Sequence, residues 1–159
     1  MLEKTRKNVE QSYDAVLAGD AGRLEEIQER EDYIDYLNGE IARYIVSLMS
    51  VEMSERDTKS INSYYLMLGN VERIGDHAIN IAEYTQFMKK WEIRLTEEEK
   101  EEIVKMKEIS RQTLEALSLE DETKSAEILA RVSEGEKEID EMQKKYLKSQ
   151  IKRAKKGES

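Results

Sequence analysis

Apolar residues recur along this chain at spacings of three and four almost from end to end, the period of helices that each bury one face. Val9, Tyr13, Val16 and Leu17 mark a first helix over about 2–17, and Gly19-Asp20-Ala21-Gly22 makes a turn after it. A second helix spans about 23–49 with the stripe Ile27, Ile34, Leu37, Ile41, Ile45 and Leu48. The third begins near 54–57, where Ser54 and Asp57 can cap free amides, and runs to about Lys89. It should bury Ile61, Tyr64, Leu68, Val71, Ala78 and Ala82, with Met67, Ile74, Ile81 and Met88 widening the face. Thr96 and Glu99 have capping-box spacing and open a fourth helix to about Leu117, through Ile103, Met106, Thr113 and Leu114. After a turn at 118–121 a fifth continues to about Lys155, with Ile128, Val132, Ile139, Met142 and Tyr146 inward.

Beside three of these stripes lies the same carboxylate pair, Glu-x-x-x-Asp: Glu31/Asp35, Glu72/Asp76 and Glu136/Asp140. Residues four apart stack on one helix face. Counting from the residue before each Asp, the Glu falls at roughly 60° and the Asp at roughly 100°, the edge of the buried face. With 35 acidic residues in 159, composition alone gives roughly seven acidic i, i+4 pairs, so the signal is recurrence in one phase. In the third helix Asn80 and Glu83 extend the row beyond Glu72 and Asp76, an oxygen-rich line suited to hard or borderline cations. Without a cation the same row is a solvated helix edge. His77 points about 100° away from Asp76, which makes it a surface or inter-helix residue rather than a ligand. Arg73 can neutralise a neighbouring carboxylate. Gly69 and Gly75, costly in a helix by about 1 kcal/mol each relative to Ala, suggest close approach of another helix.

Composition narrows the class. The chain holds no proline and only seven glycines, so the expected fold is all-α, an antiparallel helix bundle without a sheet. A net charge of -9 argues against nucleic acid, whose phosphates require clustered cations. The lysines and arginines from Lys144 to Lys156 suit a helix C-terminus. There is no cysteine, which removes disulfides and thiolate metal sites. No apolar run approaches the ~18 residues of a membrane span, and the polar start does not read as a signal peptide.

Glu31-x-x-Ile34-Asp35 and Glu136-x-x-Ile139-Asp140 also form an internal repeat, each preceded by an amphipathic helix and a short acidic turn. The organisation reads as a three-helix repeat over 1–93 and two helices of a second over 94–159. A third helix of that second repeat is expected near position 177, and the chain therefore reads as a piece of a longer domain.

The string Asn70-Val-Glu-Arg-Ile-Gly-Asp-His-Ala-Ile-Asn-Ile-Ala-Glu83 resembles the signature of the PhoU family of phosphate-transport regulators. It is most similar to the PhoU-like cytoplasmic domain of bacterial sodium/phosphate cotransporters. The stretches 31–45 and 136–153 resemble the helices of the family's two repeats. The resemblance implies two related three-helix bundles whose Glu-x-x-x-Asp pairs hold transition-metal ions, here iron, zinc or manganese on Glu31, Asp35, Glu72 and Asp76. Glu136 and Asp140 would belong to a second cluster that lacks its opposing helix. Asn80 and Glu83, in the third-helix row with Glu72 and Asp76, are candidate additional ligands. It further implies a non-enzymatic regulator of phosphate uptake on the cytoplasmic side of the cell membrane, touching a membrane transport domain of the same or a partner chain. A stand-alone phosphate-signalling regulator is the alternative.

No activated nucleophile is evident, so no catalytic residue is assigned. A dimetal-carboxylate enzyme would need Glu-x-x-His motifs from two helices, and the chain has none. The fourth and fifth helices each carry an apolar stripe that two helices alone cannot enclose. The expectation is self-association, with a homodimer the default, the open stripes being covered by another copy or folded back on the first bundle.

Overall fold

A computed structural model describes residues 1–117 and 125–155. Five helices make up the fold: α1 (Leu2–Ala18), α2 (Leu24–Met49), α3 (Glu55–Lys90), α4 (Glu97–Leu117) and α5 (Ser125–Lys155), with no strand among the described residues. The turn expected at 118–121 lies outside them.

The helix ends follow local chemistry. Gly19 closes α1 in the left-handed region at φ 63° and sends its amide back to Val16 and Ala15, a conformation that glycine adopts without steric penalty. Ser54 caps α3, its Oγ accepting from the Asp57 amide at 3.2 Å and donating to the Asp57 carboxylate at 2.7 Å. The capping box at α4 forms in both directions: the Glu99 amide donates to Thr96 Oγ1 at 3.3 Å, and the Thr96 amide to Glu99 Oε2 at 2.8 Å.

Neighbours alternate in direction. Asn8 reaches Ile27 and Glu31, so α1 and α2 are antiparallel; Asn38 meets Glu72 across α2 and α3; Lys107 meets Asp14 and Ser110 meets Tyr13 across α4 and α1. Consequently α1, α3 and α5 run the same way, as the contacts Asn70–Ser133 and Tyr84–Tyr146 also show. α2 packs on the pair α1 and α3, and α4 and α5 pack on the other side of that same pair.

One core joins the two halves of the sequence. Val9, Tyr13 and Val16 of α1 meet Ile74, Ala78 and Ile81 of α3, Ile103, Met106 and Leu114 of α4, and Ile139 and Tyr146 of α5. The buried stripes of α4 and α5 therefore fold back on α1 and α3 within the monomer. Thr5, Asn8 and Ser12 form a row of small polar residues in α1 that is as buried as its apolar stripe, and the thinness of this row brings α1 close to Gly75. Close approach is not the reason for Gly69, where an added Cβ would meet nothing within 4 Å. At Gly75 it would meet Thr5 and Glu31 only at ordinary contact distance, 3.6 and 3.8 Å.

Beyond the end of α1 the stripes of α2 and α3 stay buried only at Ile45 and Met67 among the described residues. Ile27, Ile34, Val71, Ala78 and Ala82 are buried, whereas Leu37, Ile41, Leu48, Ile61 and Leu68 are half-buried and Tyr64 is exposed. Between 46 and 66 no residue is buried. Thr5 lies level with Gly75 and α1 begins at Leu2, about one turn farther, so the α2–α3 hairpin runs on past its end.

Candidate functional site

Glu31, Asp35 and Asp76 each present a carboxylate oxygen, and these oxygens lie within 4.8 Å of one another. Antiparallel packing of α2 on α3 brings them together: Glu31 and Asp35 are stacked on one face of α2, and Asp76 lies opposite, one residue from Gly75. Glu31 is 7% exposed while Asp35 and Asp76 face the solvent, giving the group a buried floor and an open mouth. Asn8 Nδ2 lies 3.5 Å from Glu31 Oε2 and is otherwise committed to the Ile27 carbonyl at 3.0 Å.

Among the described residues no lysine or arginine pairs with any of the three. Burial, then the charges of Asp35 and Asp76, push the Glu31 carboxyl from its ordinary 4.5 up to about 7. Burial and the Asp76 charge raise Asp35 as well. Three carboxylates without a counter-charge repel, and protons or a cation must relieve them.

Glu72 does not join this group. It lies one turn before Asp76 and accepts from Asn38 Nδ2 at 3.1 Å, a second rung of the same ladder. Asn38 Oδ1 is buried with no hydrogen-bond partner, so the rung holds an unused oxygen donor next to a carboxylate. The spacing 31, 35, 38 on α2 carried the signal for Asn38, and the row Thr5, Asn8, Ser12 carried that for Asn8; both were legible as polar residues at core spacing. Asn80 and Glu83 are exposed farther along α3 and stand outside the three-carboxylate group.

Glu136 and Asp140 face α3 rather than solvent alone. His77 Nε2 lies 3.3 Å from Glu136 Oε1 and 3.7 Å from Asp140 Oδ1, and its Nδ1 bonds Gln143 Oε1. Arg73 adds a long contact of 3.9 Å to Glu136, not to Glu72 or Asp76. Lys144 bonds Asp140 at 2.8 Å and holds its carboxyl below the usual carboxylate range. This second pair is thus compensated by side chains, and His77 is the inter-helix residue that its angular position implied.

The PhoU domain family matches residues 1–85, more than half of the chain and the span that holds both rungs of the ladder. The chain belongs to the PhoU domain family. That places it among regulator-type proteins of phosphate homeostasis. No curated protein and no solved structure matches it. In this PhoU domain α1, α2 and α3 supply the carboxylate group and the buried amides around it. No described helix is long and apolar enough to cross a membrane.

Proposed function

We propose that this chain is a cation-binding PhoU regulatory domain that controls phosphate uptake by contact with membrane transport machinery on the cytoplasmic side. The observation that carries the reading is the convergence of Glu31, Asp35 and Asp76 without a basic partner among the described residues, inside the span matched by the family. The donor set is all oxygen with a raised carboxyl at its floor, which fits a manganese, iron or zinc ion as its counter-charge. Glu31, Asp35 and Asp76 would hold it, with Glu72 and Asn38 one turn away. The bound ion would neutralise the cluster and clamp α2 to α3. Glu136 and Asp140 already have His77, Arg73 and Lys144 as neighbours, which disfavours them as a second cluster in this chain.

The transporter context follows from the resemblance to cotransporter PhoU-like domains, and a stand-alone phosphate regulator is the second reading. Metal content of protein purified without chelator, compared with Glu31→Gln/Asp76→Asn, tests the site. Stoichiometric metal in the parent and its loss in the variant are expected; equal content in both sinks the metal reading. Phosphate uptake in cells carrying the same variant then tests the regulatory role, which fails if uptake is unchanged.

A further inference from the structure

Near the C-terminal ends of the parallel helices α3 and α5, aromatic and aliphatic side chains reach the surface in one place. Tyr146 of α5 is buried, and its ring meets Tyr84 of α3 edge-on with centroids 5.9 Å apart; Tyr84 in turn stacks with Phe87 at 6.2 Å. Phe87 is 58% exposed. One turn on, the Trp91 amide bonds the Phe87 carbonyl at 2.9 Å, and its ring stands 63% exposed with Lys90 Nζ over it at 5.5 Å. On α5, Leu147 comes a heptad after Asp140 and so lies on the side that meets α3, with Ile151 one turn farther. These two are 45 and 55% exposed. Phe87 stands two heptads after Arg73, which meets Glu136 of α5, so the four apolar residues share one outer edge of the α3–α5 pair.

The same edge is basic in an acidic chain. Residues 84–94 carry Lys89, Lys90 and Arg94 against Glu92, and residues 144–155 carry six lysines and arginines with no carboxylate, a combined net of +8. The whole chain is -9, so everything else holds -17. The dipole of α5 accounts for cations in its last turn, not for Lys144, Lys145 and Lys148 well before its end. Asp140 takes Lys144 at 2.8 Å and Glu102 takes Lys145 at 3.6 Å. Lys148 and Lys152 are exposed and pair with no carboxylate among the described residues. Lys145 lies two positions from Leu147 and thus on the far side of α5, which is where the acidic start of α4 borders it.

We propose that this edge docks on an anionic phospholipid surface, with Phe87 and Trp91 seated among the headgroups and the α5 lysines lying along them. Aromatic rings beside lysines are the composition of a helix face that lies in the membrane interface. Lysine stems cover the apolar strip while their ammonium groups stay at the phosphates. Five of the six cations in 144–155 are lysines, whereas the carboxylates of a protein partner favour the arginine fork and protein interfaces are depleted in lysine. A nucleic acid would attract the lysines through its phosphates but give Leu147 and Ile151 no apolar layer to enter. Repulsion of the remaining -17 from an anionic surface turns this end of the bundle toward it.

Trp91 is the chain's single tryptophan and reports the contact directly. Titrating the full chain with phosphatidylcholine vesicles that contain about a third phosphatidylserine should shift its emission to shorter wavelength and carry the protein into the vesicle pellet. Pure phosphatidylcholine vesicles should do neither, and about 1 M salt should reverse the binding. Lys148→Glu/Lys152→Glu should keep the helical circular dichroism and weaken binding by about tenfold or more. Arg56→Glu/Lys59→Glu, the same charge change at the other end of α3, should weaken it far less. No binding to anionic vesicles, binding without a change in Trp91 emission, or equal losses in the two charge variants overturns the proposal. Capture by polyglutamate in place of vesicles also overturns it and marks a site for an acidic protein segment instead. Lipid contact requires neither the metal site nor the regulatory role, so metal content and phosphate uptake decide those readings separately.

Discussion

Gly135 of α5 lies so close to Thr113 of α4 that a Cβ built on it would overlap the threonine Oγ1 and come 2.9 Å from its Cγ2. Both residues belong to the buried α4–α5 contact, and Thr113 Oγ1 is tied to the Ile109 carbonyl at 2.7 Å. Gly135→Ala should therefore destabilise the chain by about 1–3 kcal/mol through overpacking, although alanine is the better helix former by about 1 kcal/mol. Adding Thr113→Ala should recover much of the loss. Gly69→Ala, which meets open space, should stabilise instead. Urea denaturation midpoints separate the three; a neutral Gly135→Ala would show that α4 and α5 are farther apart.

Glu31 makes the metal-free protein sensitive to pH. Its proton is held to about pH 7 in the folded chain and to about 4.5 when unfolded. Between those values the folded state binds more protons, so stability falls as pH rises through the window. The penalty above it should be about 2 kcal/mol once water at the open mouth is allowed for. Thermal melts in chelator should give a lower Tm at pH 8 than at pH 5.5. Glu31→Gln should flatten the slope; an unchanged slope would locate its cause elsewhere.

Thr96→Ala removes the hydroxyl that accepts from the Glu99 amide and leaves the buried Glu99 side chain with fewer donors. The expected loss is about 1 kcal/mol. Hydrogen exchange should show faster opening confined to the first turn of α4, and a uniform change along the helix would count against a capping role.

His77→Ala deletes the ring that meets Gln143 and Glu136 across α3 and α5. Gln143 is buried, and a buried polar group left without its partner costs about 1–3 kcal/mol. The loss should appear as faster amide exchange in α5 with α2 unaffected. Metal content should be unchanged, since His77 does not touch Glu31, Asp35 or Asp76.

Helix periodicity made the all-α fold legible, and with it the Ser54 and Thr96 caps and most of the core. Chain-wide packing was less so. The stripes of α4 and α5 read as half of a separate bundle because a stripe states that a face is buried, not against what. Here α1 covers α4 and α3 covers α5, α1 having an apolar row for α4 and a small polar row for α2 and α3. At the site, the phase of Glu31, Asp35 and Asp76 was visible, whereas the diversion of Glu72 to Asn38 depends on the axial offset of two antiparallel helices. No spacing within one helix encodes that offset. Gly135 was equally silent, since its meaning is set by Thr113 from another helix.

The raised carboxyl at the floor of the site gives cation binding a second product. An ion that takes Glu31 as a ligand must expel the proton that Glu31 holds up to about pH 7. Binding would therefore acidify its surroundings by close to one proton per site in mildly acidic solution, and by almost none in alkaline solution. Titration calorimetry in two buffers of different ionisation heat would read that proton directly as a difference between the two apparent enthalpies, and the difference would vanish as the pH is raised.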